Sequence, residues 1–388
     1  MPKFERQPID NVVDTLIENG TLPGAVVGVA IGGDIVYLEA RGVMDEAKGT
    51  PMREDALFRM ASTTKQVLGV AAMMMIEEGR FSPNDAVGDY IPEFSDIKVA
   101  VLADPADEDI SPEYVLEDPP PHRLVDPHRP VTILDLLTHT SGLGTYGLGM
   151  AISDWPWDAG ETLATWIPKI AKGPLDYQPG ARWQYSPMLG LDVVARLIEI
   201  VSGQPFQDLV QQRIFDPLKM HDTHWNLPEE KASRLVVMEK DEGDFAGKKI
   251  GFRMPPGYYS ASVGLMSSVH DFLNFHQMLT YRGELFGHRL LKEASVAEMS
   301  SNHLESLYRS KADTEGLGFG YAVEVLVDPD KCGRKQSTGS YGWGGAFGTL
   351  SWNEPEKDLA VVVLVQKLSE TLRDDVTTAI HAATEGIS

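Results

Sequence analysis

Apolar residues recur along the chain with two different periods, which predict where helices and strands form. Near the N-terminus, five apolar residues share one face of an amphipathic helix: Ile9, Val12, Val13, Leu16 and Ile17. We expect this helix to end near Gly20. Two β-like runs follow at residues 25–31 and 35–40, and the Gly-Gly-Asp at 32–34 between them has the composition of a tight hairpin turn. The N-terminal part is therefore predicted to form a helix and a β-hairpin.

The next long apolar stretch predicts a helix at the centre of the protein. Residues 67–76 are apolar on every side, which is typical of a fully buried helix, here from Ser62 to about Glu78. Residues 100–130 are instead rich in proline and acidic side chains. We expect loop and short strand in this second stretch rather than an element of the core.

Helical patterns dominate from residue 132 to about 218, and β-like patterns return after them. The clearest helix spans 189–201, with Ser202-Gly203 as its stop signal. Three later runs are predicted strands: 320–327, 348–352 and 359–365. A last helix is predicted from about residue 369 to 384.

These elements favour an α+β fold in which an antiparallel sheet is assembled from both ends of the chain. The helices of the two chain ends would flank the sheet, and a mainly helical domain would be inserted in the middle. The predicted sheet domain comprises residues 1–82 and 231–388, and the helical domain comprises 83–230. A cleft is expected where the two domains meet.

Composition and charge exclude several classes of function. The 388 residues carry a net charge of −23, which argues against nucleic acid or an anionic membrane as a partner and fits a small neutral substrate better. The single Cys332 excludes an intramolecular disulfide. The first residues lack the apolar core of a secretory signal and no apolar run is long enough to span a membrane, so we expect a cytoplasmic protein. The sequence does not indicate an oligomeric state.

Ser62-x-x-Lys65 at the start of the buried helix is the main candidate for chemistry. A lysine three residues after a serine projects from the same face of a helix, and burial favours its neutral form, which can act as a base toward the hydroxyl. Two alternatives remain open from the residues alone. The motif is short enough to occur by chance, as Ser95-x-x-Lys98 shows, and Thr63 with Gln66 fits an ordinary capping box.

Two later segments offer partners for such a serine, each with a structural alternative. Tyr185 lies in a turn-rich loop before the helix at 189, where it is either a proton-handling group or an aromatic anchor of the loop. Glycines between Gly342 and Gly348 permit close approach of the backbone to a ligand, or form a plain hairpin turn.

Other motif matches carry little weight. The Gly-x-Gly-x-x-Gly at 142–147 follows a helical segment rather than a strand, so a dinucleotide site is not expected. His221 with His224, and the acidic cluster from Asp104 to Asp109, lack the spacing of metal sites. We therefore expect no metal and no cofactor, and the absence of Gly-x-Ser-x-Gly argues against an α/β-hydrolase.

Taken together, the order and spacing of four segments resemble the serine β-lactamase and penicillin-binding protein superfamily, most nearly the class C-like esterases called family VIII carboxylesterases. The segments are 58–65, 132–143, Pro179-Gly180 through Tyr185-Ser186, and 342–345. The resemblance spans almost the whole chain and implies a β-lactamase-like fold. It also implies that Ser62 is the nucleophile, Lys65 the lysine of the first motif, Tyr185 the tyrosine of Tyr-x-Asn, and Trp343-Gly344-Gly345 the equivalent of Lys-Thr-Gly. The N–H groups of Ser62 and Ala346 would form the oxyanion hole.

Two departures from the family pattern change the expected substrate. Pro187 stands where the pattern has asparagine, and Trp343 replaces a lysine that suits a substrate carboxylate. We therefore expect a serine carboxylesterase acting on small neutral esters with short acyl groups, with Lys65 and Tyr185 as general base and acid. The alternatives are a β-lactamase, a D-amino-acid amidase or peptidase, or an acyltransferase of the same fold. A further alternative is a penicillin-binding-like module that is acylated without turnover.

Overall fold

The computed structural model describes residues 4–104, 119–158, 160–238, 242–245, 248–251, 257–304, 307 and 314–385. Its helices are α1 (Gln7–Glu18), α2 (Lys65–Glu77), α3 (Ile133–Leu137), α4 (Leu148–Ala151), α5 (Leu163–Ile170), α6 (Gly190–Ser202), α7 (Phe206–Val210), α8 (Val269–Thr280), α9 (Glu293–Met299), α10 (Pro329–Cys332) and α11 (Leu372–Ala383). Its strands are β1 (Gly24–Ile31), β2 (Asp34–Asp45), β3 (Thr50–Pro51), β4 (Phe58–Arg59), β5 (Val99–Leu102), β6 (His122–Val125), β7 (Glu242–Phe245), β8 (Lys248–Gly251), β9 (Met266–Ser267), β10 (Glu284–Leu285), β11 (His288–Arg289), β12 (Leu317–Phe319), β13 (Glu324–Leu326), β14 (Tyr341–Gly344), β15 (Leu350–Glu354) and β16 (Leu359–Leu364). A short 3-10 turn, Ala61–Thr64, leads directly into α2.

Within the described part of the chain, eight strands form one antiparallel sheet in the order β12-β13-β14-β15-β16-β1-β2-β3. Strands β1 and β16 lie side by side in it, with Val27 opposite Val363. Every residue of β16 is buried, as expected of a continuous apolar run covered on both faces. Because β1 comes from the start of the chain and β16 from its end, the predicted α+β fold with a sheet built from both chain ends is confirmed.

Helices cover both faces of this sheet. On one face α1 and α11 pack against each other and against apolar side chains of the central strands, such as Val29 and Val361. On the other face α8 packs so closely that a Cβ at Gly28 of β1 would lie 2.5 Å from Val269 and 2.6 Å from Leu273. The prediction that the terminal helices flank the sheet is therefore correct for one face. The periodicity did not predict α8, which covers the other.

Helix α6 is the centre of the helical part, since α2, α3, α5 and α7 all pack against it. It ends at Gly203, whose left-handed φ of 71° matches the predicted stop signal, and it agrees with the predicted helix to within one residue at each end. Helix α2 is buried from Lys65 to Met75, which confirms the central helix. The limits of the two predicted domains stay predictions.

Three further segments compare differently with their predictions. The strand predicted at 320–327 is shorter: residues 320–323 reverse the chain between β12 and β13, with Gly320 N–H donating to the carbonyl of Val323 at 2.8 Å, and 324–326 form β13. Part of the glycine-rich segment at 342–348 is strand β14. Strands β5 and β6 pair with each other near the two ends of the proline-rich stretch, and residues 105–118 between them lie outside the described residues. No described helix is long and apolar enough to cross a membrane.

Candidate active site

Ser62 lies in the 3-10 turn that leads into α2 rather than in α2 itself. The turn spans Ala61–Thr64, and Lys65 is the first residue of the α-helix. Side chains three residues apart lie on the same side of a 3-10 turn, so the spacing still brings Lys65 Nζ to 3.2 Å from Ser62 Oγ. Ala61 has a φ of 45°, a left-handed conformation that is strained for alanine. Such strain clusters at functional sites.

Two threonines hold the Ser62 turn against the sheet. Thr63 Oγ1 and Thr349 Oγ1 are 2.8 Å apart, and Thr349 Oγ1 donates to the carbonyl of Met60 at 3.0 Å. Gly345 permits this close approach, because a Cβ there would lie 2.4 Å from the Met60 carbonyl oxygen and 2.2 Å from Thr349 Oγ1. The turn that carries Ser62 therefore packs directly against the end of β14.

Lys65 is completely buried, and its Nζ has three hydrogen-bond partners. These are Ser62 Oγ at 3.2 Å, the Pro187 carbonyl at 2.7 Å and the Ser262 carbonyl at 2.8 Å. Burial lowers the pKa of Lys65 to about 7, against the opposing effect of the Asp192 charge. Near neutral pH a large fraction of Lys65 is therefore uncharged. A neutral amine has two N–H groups and one lone pair, so the two carbonyls occupy the N–H groups and leave the lone pair for the Ser62 hydroxyl.

The Tyr185 hydroxyl is close enough to Ser62 for the serine to influence its pKa. It also accepts a hydrogen bond from Trp343 Nε1 at 3.3 Å. Burial raises the pKa of Tyr185 to about 12, although Ser62 and Trp343 both act to lower it. The Nζ of Lys65 lies 5.2 Å from the centre of the phenol ring. Tyr185 is therefore a protonated phenol at neutral pH, suited to giving a proton rather than taking one.

The predicted substrate-binding segment lies at the end of β14. Trp343 projects toward Tyr185, with the two rings 5.4 Å apart. At Gly344, a Cβ would point instead toward Leu350 and the guanidinium of Arg373, at 3.0 and 3.2 Å. The two residues thus face different surroundings, and the strand presents its indole to the cluster around Ser62.

Ala346, the second residue predicted for the oxyanion hole, is exposed in the turn after β14. The turn is closed by a hydrogen bond from Gly348 N–H to the Gly345 carbonyl at 2.9 Å. Ala346 directly follows Gly345, the glycine that packs on the turn that carries Ser62. Its part in an oxyanion hole stays a prediction.

The two departures from the family pattern have visible consequences. At Pro187 no side-chain amide is available, but the backbone carbonyl bonds Lys65 directly. At Trp343 the indole N–H donates to Tyr185 in place of a cation. A neutral donor stabilises a phenolate less than an ammonium does, which is consistent with the raised pKa of Tyr185.

His139 is a residue of the site to which the sequence analysis gave no role. Its Nδ1 accepts the Ser186 N–H at 3.3 Å, and its carbonyl accepts the Gln184 N–H at 3.1 Å. Its ring lies edge-on to Tyr185, with centroids 4.8 Å apart. Burial and the charge of Lys65 hold the pKa of His139 well below its usual range, so the imidazole is neutral. His139 therefore holds the backbone on both sides of Tyr185, and only its position in a matching segment hinted at this.

The Gly-x-Gly-x-x-Gly segment forms a loop that brings another phenol close to the site. Asp176 holds this loop by accepting the N–H groups of Thr145 and Met150, both at 2.7 Å. Tyr146 in the loop has a left-handed φ of 62°. Burial and the nearby Tyr185 raise the pKa of Tyr146 to about 12. The loop thus belongs to the surroundings of the site.

The remaining candidates lie elsewhere. His224 Nε2 is 3.1 Å from Lys231 Nζ, which also donates to the carbonyl of His221, so both histidines belong to one polar cluster with Lys231. Most of the cluster from Asp104 to Asp109 lies outside the described residues. In the part that the structure describes, no group of three His, Cys, Asp or Glu side chains is arranged to hold a metal ion.

Comparisons with known proteins identify the family of the chain. The family model named Beta-lactamase matches residues 9–385. Esterase EstB from Burkholderia gladioli is 30% identical over 406 aligned residues, which cover 97% of this chain and 94% of EstB. Protein Rv1367c from Mycobacterium tuberculosis (strain ATCC 25618 / H37Rv) is 31% identical, with coverage of 89% of this chain and 86% of that protein.

A solved structure shows the same fold. EstCE1, described as a hydrolase with promiscuous acyltransferase activity, superposes with a TM-score of 0.74 at 24% sequence identity, covering 97% of this chain and 98% of that one. This likeness confirms the β-lactamase-like fold. The chain belongs to the β-lactamase family of serine hydrolases, and its similarity to EstB confirms the resemblance to the family VIII carboxylesterases.

Proposed function

We propose that this protein is a carboxylesterase that hydrolyses small neutral esters with short acyl groups through an acyl-enzyme on Ser62. One observation carries the proposal: Ser62 Oγ is bonded to Lys65 Nζ, at 3.2 Å, and lies close to the Tyr185 hydroxyl. A serine between a partly neutral amine and a protonated phenol has a base and an acid within reach. The similarity to EstB supports an ester as the substrate.

In acylation, Ser62 Oγ forms a bond to the ester carbonyl carbon while its proton passes to the lone pair of Lys65. The carbonyl oxygen becomes an oxyanion, which the N–H groups of Ser62 and Ala346 stabilise. The bond to the alcohol then breaks, and Tyr185 protonates the departing oxygen. Transfer of a proton from Lys65 to Tyr185 restores both groups and leaves an ester on Ser62.

In deacylation, water takes the place of the alcohol. The water gives its proton to the pair formed by Tyr185 and Lys65 and attacks the acyl carbon. Ser62 Oγ then leaves with a proton from the same pair, and the carboxylic acid departs. Acylation and deacylation use the same two groups with the proton transfers reversed, because water takes the place of the leaving alcohol.

The surroundings of Tyr185 support a neutral substrate. The rings of His139, Trp343 and Trp183 lie 4.8, 5.4 and 6.4 Å from the Tyr185 ring. Trp343 stands where the family pattern has a lysine, and an indole offers apolar surface without a charge for a substrate carboxylate. A neutral ester could bind at this site without leaving a substrate charge unpaired.

The test is steady-state and burst-phase hydrolysis of p-nitrophenyl acetate and butyrate, run beside a chromogenic cephalosporin. The variant is Ser62→Ala. Ser95→Ala is a matched control, because it changes the second Ser-x-x-Lys copy: Ser95 is exposed, and Lys98 bonds Asp126 at 2.6 Å. We expect a burst and turnover of both esters that Ser62→Ala abolishes and Ser95→Ala retains.

Three results would contradict the proposal. Ester turnover that survives in Ser62→Ala would remove Ser62 as the nucleophile. Cephalosporin turnover faster than ester turnover would indicate a β-lactamase. A burst with no steady state would indicate a module that is acylated once.

A further inference from the structure

Asp192 is a buried carboxylate that neither the sequence motifs nor the proposed mechanism uses. It lies in the first turn of α6 and is 1% exposed. A carboxylate in such a place is costly unless it is hydrogen-bonded or paired with a cation. Its partners therefore indicate its role.

Three donors from one segment of the chain converge on this carboxylate. The Tyr258 hydroxyl donates to Oδ2 at 2.7 Å, and the Ser262 N–H and Ser260 Oγ donate to Oδ1 at 2.9 and 3.1 Å. Burial raises the pKa of Asp192, whereas the three hydrogen bonds and the charge of Lys65 favour the ionised form. Asp192 thus anchors the segment from Tyr258 to Ser262.

The anchored segment ends at a carbonyl that holds the proposed base. While the Ser262 N–H binds Asp192, the Ser262 carbonyl accepts Lys65 Nζ at 2.8 Å. The other carbonyl on Nζ belongs to Pro187, in the loop that leads into α6. Asp192 therefore joins the two stretches of backbone whose carbonyls position Lys65.

Asp192 also acts on Lys65 through its charge. Burial lowers the pKa of Lys65 to about 7, and it would be lower still without the negative charge of Asp192. Among the described residues, the other titratable groups that face Lys65 are Tyr185, a protonated phenol, and His139, a neutral imidazole. The charge balance at Nζ therefore depends on Asp192.

The groups around Asp192 itself are also accounted for. Burial raises the pKa of Tyr258 well above its usual value, so Tyr258 stays a hydrogen-bond donor. Glu161 and Glu199 influence Tyr258 from farther away, and in the described part of the chain Lys65 is the cation that acts on Asp192. A change of charge at Asp192 should therefore be felt first at Lys65.

We infer that Asp192 is a positioning residue for the esterase reaction: its carboxylate fixes the Ser262 carbonyl on Lys65 Nζ, and its charge sets the pH above which Lys65 accepts the Ser62 proton. This inference rests on the proposed function, because it concerns the same proton transfer. It predicts an effect on the pH profile that a purely structural residue would not have.

The test is the pH dependence of kcat/KM for p-nitrophenyl butyrate in the Asp192→Asn variant. Asparagine keeps the shape and an acceptor for the Ser262 N–H but removes the charge, which lowers the pKa of Lys65. We expect the acid limb of the profile to move to lower pH by at least about half a unit. Rates are normalised to the burst amplitude, so that only folded, reactive enzyme is counted.

Two variants are matched controls. Glu199→Gln removes an equal charge from the same helix, where Glu199 bonds Arg196 at 2.9 Å, and should leave the acid limb in place. Tyr258→Phe removes one donor from Asp192 and keeps the charge, so the limb should again stay in place.

The outcomes separate this inference from the proposed function. Wild-type enzyme that is never acylated on Ser62 would overturn the proposed function. A normal wild-type burst with an acid limb that is unmoved or raised in Asp192→Asn would overturn the role of Asp192 alone. Should Asp192→Asn fold poorly, Asp192→Glu keeps the charge and displaces the Ser262 carbonyl. We expect it to show a lower kcat at an unmoved limb, and a wild-type kcat would overturn the positioning role.

Discussion

Replacement of His139 tests whether Tyr185 depends on a neutral histidine for its placement. In His139→Phe the ring beside Tyr185 is kept, but the acceptor for the Ser186 N–H is lost. Ser186 is 1% exposed, so its N–H would be left unsatisfied away from water, at a cost of about 1–3 kcal/mol. The observed bond is long, at 3.3 Å, which favours the lower half of that range.

The same change should act on catalysis through the neighbouring Tyr185. Small displacements of a catalytic group reduce rates on the order of 10- to 100-fold. Because Tyr185 is proposed to protonate the leaving alcohol, kcat should fall more for an ethyl ester, whose alkoxide needs that proton, than for a p-nitrophenyl ester. Urea unfolding and kcat for both esters, measured per active site, check the two effects.

A matched variant and one result decide whether His139 places Tyr185 or only stabilises the fold. Tyr177→Phe removes a hydroxyl bonded to the His139 carbonyl at 3.3 Å and leaves the His139 ring intact, so it should not change the ratio of the two esters. If His139→Phe lowers stability but reduces both esters equally, His139 supports the fold and does not place the acid.

Three other predictions test the core, the turn of the nucleophile and the third motif. Burial lowers the pKa of His276 to about 4, so on acidification the imidazole is protonated in the unfolded chain before it is protonated in the folded one. As the pH falls from roughly 6.5 to 4, the free energy of unfolding should therefore decrease by about 1.4 kcal/mol per pH unit. His276→Gln should flatten this slope in urea titrations at several pH values. Gly345→Ala would place a methyl group 2.4 Å from a backbone carbonyl oxygen and should abolish the burst, whereas Gly160→Ala, with open space around it, should leave the burst amplitude unchanged. Trp343→Phe removes a hydrogen bond to Tyr185 worth roughly 0.5–1.5 kcal/mol, so kcat for an ethyl ester should drop about 2- to 10-fold, and equal rates would argue against this contact.

The fold was predictable wherever the pattern of apolar residues matches the burial of the element. Helix α1 and the hairpin of β1 and β2 follow the pattern of their apolar residues. The apolar pattern did not predict helix α8. This helix is buried on nearly all sides, and polar residues such as Asn274, His276 and Gln277 lie in the core where apolar ones are expected. The Nδ1 of His276 is bonded there to Asn353, at 2.7 Å, a partner that no local pattern reveals.

The residues of the site also differ in how far the sequence predicts them. Ser62 and Lys65 are neighbours in one turn, so their spacing predicts their contact. Tyr185 was assigned from the resemblance to a family, because the sequence around it equally suits a loop anchor. The carbonyl of Ser262 was not predictable, since every residue has a carbonyl and only the tertiary structure decides which one meets Lys65.

The most direct test of the account is to locate the acyl group on the protein. Wild-type enzyme and Ser62→Ala are mixed with p-nitrophenyl acetate, quenched in acid during the burst, and compared by intact mass and peptide mapping. The account predicts one acetyl group on wild-type enzyme, on the peptide that contains Ser62, and none on Ser62→Ala. An acetyl group on another residue of an enzyme that turns over, or the same adduct in Ser62→Ala, would contradict it.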